Sequence, residues 1–185
     1  MTAPAPQLAT LGPSRTRWSW LHAAAEMAAL YSGGWQAPGG SDWPSSARVA
    51  TRSPEPAAST VAAARLFTLR TLGRWGESSL ADDVAAVVSE LLANAFKHAL
   101  PAEPRSAMPA RPIRLGLLDP GPCLLCAVAD PSPLAPVASE PDWLAESGRG
   151  LQVVASLASQ WGFCVAPDLQ GKVVWATFAR QAWPR

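Results

Sequence analysis

Glu90, Asn94 and His98 stand four residues apart in a segment whose remaining pattern is apolar. On a helix that spacing stacks side chains along one edge, so a carboxylate, an amide and an imidazole would line up beside a greasy face. A Glu and an Asn one turn apart can divide the work of phosphoryl transfer. The amide oxygen suits a magnesium ion, and the carboxylate can orient or deprotonate a nucleophile. The same spacing also describes a solvated helix edge. A second cluster, Gly148-Arg149-Gly150, opens an apolar run. At a helix N-terminus its free N–H groups and the helix dipole would suit phosphate oxygens, whereas an ordinary tight turn needs the same glycines. Between the two lies Val128-Ala129-Asp130, whose carboxylate leaves a strand and either accepts hydrogen bonds from an exocyclic amine or caps the following turn. Lys97 could approach phosphates or complement the helix dipole, and His98 reads more simply as a helix-end packing residue.

These residues need elements to hold them. Val84, Val87, Val88, Leu91, Leu92, Ala95, Phe96 and Ala99 make one continuous apolar face, giving a helix from about Leu80 to Leu100 that Pro101 closes. Ser78 and Ser79 before Asp82 and Asp83 supply its start. A preceding helix is read from Val61, Ala64, Arg65, Leu66, Leu69 and Leu72, ending near Gly73 and Gly76. Ile113 to Leu118 and Leu124 to Val128 flank Asp119-Pro120-Gly121-Pro122, which spells strand, turn, strand. A long Pro-rich loop follows, from Pro131 to Ser147. Then come a helix from Leu151 to Gln160 and strands Trp161–Val165 and Val173–Phe178. Trp161 and Trp175 read as core. With strands outnumbering a simple alternation, the fold class is an α/β (α+β) two-layer sandwich. Its sheet is mixed and mainly antiparallel, covered on one face by helices.

Residues 1–54, rich in Pro, Gly and Ala, read as a largely disordered tail with a short helix at 18–31. Residues 55–180 form the domain, and 181–185 a C-terminal tail. Trp18, Trp20, Trp35 and Trp43 are costly in water if clustered and are expected to dock on the domain or a partner.

Composition narrows the function. Lys and Arg number 15 against 14 Asp and Glu, so no net basic charge points to nucleic acid. No run approaches the roughly 18 apolar residues of a membrane span, and the expected location is the cytoplasm. Cys123, Cys126 and Cys164 are an odd number, which argues against a disulfide framework. Cys123 and Cys126 have the CxxC spacing of half a zinc site. On a strand, however, they point to opposite faces, and no second ligand pair with metal spacing accompanies them.

The ordered set Val88-Ser89-Glu90-Leu91-Leu92-Ala93-Asn94-Ala95-Phe96-Lys97-His98-Ala99, Val128-Ala129-Asp130-Pro131-Ser132, Glu146-Ser147-Gly148-Arg149-Gly150-Leu151 and Gly171-Lys172-Val173-Val174-Trp175 resembles the GHKL ATP-binding domains, most closely their bacterial anti-sigma-factor and serine-protein-kinase branch. The resemblance spans about Glu55 to Ala179 and implies a Bergerat-type fold with ATP and Mg2+ as cofactors. It makes Glu90 the base, Asn94 the magnesium ligand and Asp130 the reader of the adenine amino group. Gly148, Arg149 and Gly150 become part of a phosphate-contacting lid, with Lys97 and His98 at the border of the nucleotide site. The implied partners are an anti-sigma-factor antagonist protein, phosphorylated on Ser or Thr, a sigma factor and a second copy of the chain. Two positions depart from the family pattern. Prolines follow Asp130 where glycines are usual, and Val173 stands where threonine is common.

Overall fold

The computed structural model describes residues 19–31, 47–55, 57, 59–98, 112–136, 149–166 and 171–180. In chain order these form α1 (Ser19–Tyr31), β1 (Arg48–Arg52), α2 (Thr60–Trp75), a 3₁₀ turn (Ser78–Leu80), α3 (Ala81–His98), β2 (Arg114–Asp119), β3 (Cys123–Asp130), α4 (Gly150–Leu157), β4 (Gln160–Ala166) and β5 (Gly171–Ala179). The strands make one five-stranded sheet in the order β1-β2-β3-β5-β4. Every pairing in it is antiparallel.

The α/β sandwich is present, and α3 is its central helix. Val84, Val87, Val88, Leu91, Leu92 and Ala95 are buried along one face of α3. They pack on Leu115, Leu117, Leu124, Cys126, Val128, Val174, Ala176 and Phe178 of the sheet and on Leu151 and Val154 of α4. Alternation decides this: residues two apart along a strand share a face, so every second side chain of β2, β3 and β5 meets the helices. Cys126 lies in this core while Cys123 packs against the other, so the two thiols are on opposite faces. All three cysteines are free, and burial pushes the Cys126 thiol up to about 12, where it is an inert apolar filler.

The opposite face of the sheet is covered as well, which the sequence reading did not include. Trp20, Leu21, Ala24, Ala25, Met27 and Ala28 of α1 pack on Leu118, Leu125, Ala127, Ala129, Cys164, Val173 and Trp175. Gly116 makes room for them, since a Cβ there would fall 2.7 Å from the tip of the Trp20 indole. The domain therefore begins earlier than residue 55: α1 and β1 both lie in the stretch read as tail, and β1 pairs with β2 from Arg48↔Asp119 to Arg52↔Leu115. Among the four tail tryptophans, Trp20 is docked at 2% exposure. Trp18, Trp35 and Trp43 lie outside the described residues.

A second difference concerns α2. Leu66 is exposed, and the buried positions are Thr60, Ala64, Thr68, Thr71 and Leu72. Threonine can occupy such a face because its hydroxyl bonds back to the helix, as Thr68 Oγ1 does to the Ala64 carbonyl at 3.0 Å. The helix ends at Gly76 with φ 78°, a left-handed cap.

At the β2–β3 turn, Asp119 accepts from the Gly121 N–H at 3.0 Å. Its two oxygens also take Arg48 Nε at 2.8 Å and Arg180 Nη2 at 2.8 Å, and Arg180 reaches on to Glu77 Oε1 at 2.7 Å. This clasp ties β1, β2, the chain after β5 and the α2–α3 junction. Burial alone would raise the Asp119 pKa, but the hydrogen bonds from Arg180, Arg48 and Gly121, with the charge of Arg180, outweigh it and hold the carboxyl below its ordinary value. The stability this supplies is complete above the pKa of an unfolded aspartate, about 4, and drains away as pH falls through the lower folded value. Asp119→Asn is expected to cost about 2 kcal/mol at pH 7 and progressively less as pH falls below about 4, read as urea-unfolding free energies at pH 7 and about pH 3. An equal loss at both would remove the charge from the explanation.

Candidate functional site

The site forms where α3 meets the first turn of α4. Glu90 and Asn94 lie in the C-terminal half of α3, both half-buried, while their neighbours Leu91, Leu92 and Ala95 are in the core. Anchored on that side, α3 cannot rotate, and the two polar side chains are held at its edge. Opposite them is Gly150, the first residue of α4. A Cβ built on Gly150 would lie 2.7 Å from Glu90 Oε2, 3.4 Å from Asn94 Nδ2 and 3.6 Å from Asn94 Oδ1. Glycine is needed here for space: the carboxylate and the amide occupy the volume that any side chain would fill. The spacing of Glu90 and Asn94, and the glycine 56 residues after Asn94, thus belong to one constellation.

Arg149 precedes α4 and is exposed. Its carbonyl accepts from the N–H groups of Gln152 and Val153, both at 3.0 Å, which starts the helix and leaves the first N–H groups free of helical partners. Gly148 lies outside the described residues. Lys97 and His98 are exposed in the last turn of α3, and no described contact joins them to Gly150.

Asp130 ends β3 on the face shared with Val128, the α3 side of the sheet. It is 4% exposed and not alone. Its Oδ1 accepts from Lys172 Nζ at 2.9 Å and from the Ser132 N–H at 2.9 Å, and the same ammonium donates to the Ser132 carbonyl at 3.3 Å. Burial pushes the carboxyl above its usual range, with Lys172 and the Ser132 N–H pulling in the other direction. The turn-capping and ligand-reading roles offered by the sequence are compatible, because Ser132 uses only one oxygen. Lys172 is the partner that sequence reasoning missed. Its signal was the register, which puts Lys172 directly across from Asp130. Val173, one residue on, lies under α1 on the other face, so the missing threonine hydroxyl at that position is absent from the α1 side of the sheet and not from beside Asp130.

The profile of the histidine kinase-like ATPase domain family matches residues 54–178, well over half of the chain. The chain belongs to that family. No curated protein matches it. Domains of the histidine kinase-like ATPase type bind ATP, usually with magnesium, and the donor set fits both. Magnesium commonly takes one or two protein oxygens and completes its shell with phosphates and water, so one amide oxygen beside free helix N–H groups is a sufficient protein contribution. Among the described residues no helix is long and apolar enough to cross a membrane.

Gly150→Ala tests the packing of the site. The group it would strike is the far end of a flexible glutamate, so the fold can yield by moving Glu90. Thermal stability is expected to stay within about 1 kcal/mol of wild type, while any ATP turnover falls at least about tenfold. Unchanged turnover, followed as ADP release, would show that the placement of Glu90 is immaterial.

Proposed function

We propose that the chain is a cytoplasmic regulator that binds ATP with magnesium and phosphorylates a serine or threonine of an antagonist protein, thereby switching its own grip on a sigma factor. The observation that carries this reading is the convergence of Glu90 and Asn94 on Gly150. Asp130 accepts a hydrogen bond from the adenine amino group, Asn94 holds magnesium through its amide oxygen, and Gly148, Arg149 and Gly150 line the phosphates. Bound magnesium neutralises charge on the phosphates. Glu90 takes the proton of the acceptor hydroxyl as its oxygen attacks the γ-phosphorus and ADP departs. Lys97 and His98, exposed near the end of α3, border the phosphates from that side.

A second reading keeps the fold as a module that sequesters a partner without phosphotransfer. The observation on its side is the Lys172 ammonium already seated on Asp130. Calorimetric titration with ATP, with and without magnesium, separates the two. The kinase reading expects magnesium-dependent binding, weakened about tenfold or more by Asp130→Asn and stripped of its magnesium dependence by Asn94→Ala. Absence of heat and of thermal stabilisation at millimolar ATP would favour the sequestering module.

A further inference from the structure

Resting on the reading of Asp130 as the adenine contact, we propose that Lys172 is a second base-reading residue, donating a hydrogen bond to the ring nitrogen N1 beside the adenine amino group. The pair is built for two contacts. The Asp130 carboxylate has two oxygens, and among the described residues only Oδ1 accepts hydrogen bonds, from Lys172 Nζ and the Ser132 N–H. An ammonium has three protons, and Lys172 directs one to Asp130 and one to the Ser132 carbonyl. One acceptor and one donor thus remain side by side, on side chains 2% and 7% exposed. The spare oxygen and the spare proton belong to groups already paired with each other, so the arrangement favours a ligand that brings a donor next to an acceptor. The Watson–Crick edge of adenine does so, with the amino group as donor and N1 as acceptor.

The geometry also fixes which side chain does what. Lys172 and Ser132 both occupy Oδ1, which leaves Oδ2 to the amino group and the third ammonium proton to N1. Val173 cannot substitute, since it lies on the α1 face.

The test compares ATP with 1-deaza-ATP, in which a C–H replaces N1, and with 7-deaza-ATP as a control. Wild type should bind 1-deaza-ATP about tenfold or more weakly than ATP and 7-deaza-ATP about as well. In Lys172→Met the ratio of ATP to 1-deaza-ATP affinity should collapse to near one, even if both affinities fall because Asp130 has lost its counter-charge. A ratio unchanged in the variant, or tighter ATP binding by it, overturns the role.

A folding defect in the variant does not end the test, because the chain has only two lysines, Lys97 and Lys172. In 15N-lysine-labelled wild-type protein, ATP should shift the buried ammonium signal and slow its exchange, and 1-deaza-ATP should not. Equal responses to both nucleotides refute the contact to N1. If ATP does not bind at all, the nucleotide reading itself fails and this inference with it.

Discussion

Glu90→Ala is expected to lower ATP turnover by roughly 10²- to 10⁴-fold while leaving the ATP dissociation constant within about threefold. The separation follows from position. Glu90 is half-buried at the edge of α3, and its carboxylate faces the backbone of Gly150. The groups assigned to nucleotide binding, Asp130 and Asn94, are supported independently: Asp130 by Lys172 and Ser132, Asn94 by the helix one turn on. Alanine is also the best helix former, so the backbone of α3 should survive the change. ADP release followed alongside calorimetry decides the matter. Parallel loss of binding and turnover would make Glu90 a structural residue and reject it as the base.

Gly171→Ala should be the most damaging single methyl in the sheet, costing about 2–3 kcal/mol in urea unfolding and at least about tenfold in ATP affinity. A Cβ there would collide with the Asp130 carbonyl oxygen and lie 2.9 Å from the Cα of Pro131. Both are backbone, and Pro131 and Pro133 stiffen the segment, so nothing can swing aside as Glu90 can for Gly150. Relief requires β5 to part from β3 where Asp130 faces Lys172, which separates the paired side chains of the proposed adenine contact. A wild-type unfolding midpoint with full ATP affinity would show that this end of the sheet is softer than its packing implies.

Periodicity and punctuation made much of this fold legible. The apolar stripe of α3, the Asp-Pro-Gly-Pro turn and the paired apolar runs each have a local cause and were found where expected. Glu90, Asn94 and Gly150 could be nominated because residue type and helical spacing coincide, but their meeting is a tertiary fact. What escaped had weak local signals. The short helix read at 18–31 is present as α1, but its pattern does not say that it covers a sheet face: almost every side chain from Trp20 to Ala28 is buried, so no polar side marks its orientation. β1 is a half-exposed edge strand of five residues with an arginine at each end, and only the alternation of Val49 and Thr51 hints at it. Nothing in the sequence singles out Arg48 and Arg180, whose role shows only once Asp119 and Glu77 are seen between them. Lys172 could not be paired with Asp130 before the register of β3 and β5 was known.

The helix α1 also constrains assembly. The family profile begins at residue 54, after α1 and β1. A fragment trimmed to those bounds would lay bare a flat plate made of Leu118, Leu125, Ala127, Val173 and Trp175, the kind of greasy surface that recruits a second copy. In the longer chain that plate is already taken by the protein's own N-terminal helix. Among the described residues, the outer edges of β1 and β4 and the helical layer are what remain for a second chain to meet, and dimerisation by the trimmed fragment would report on the cut rather than on the protein.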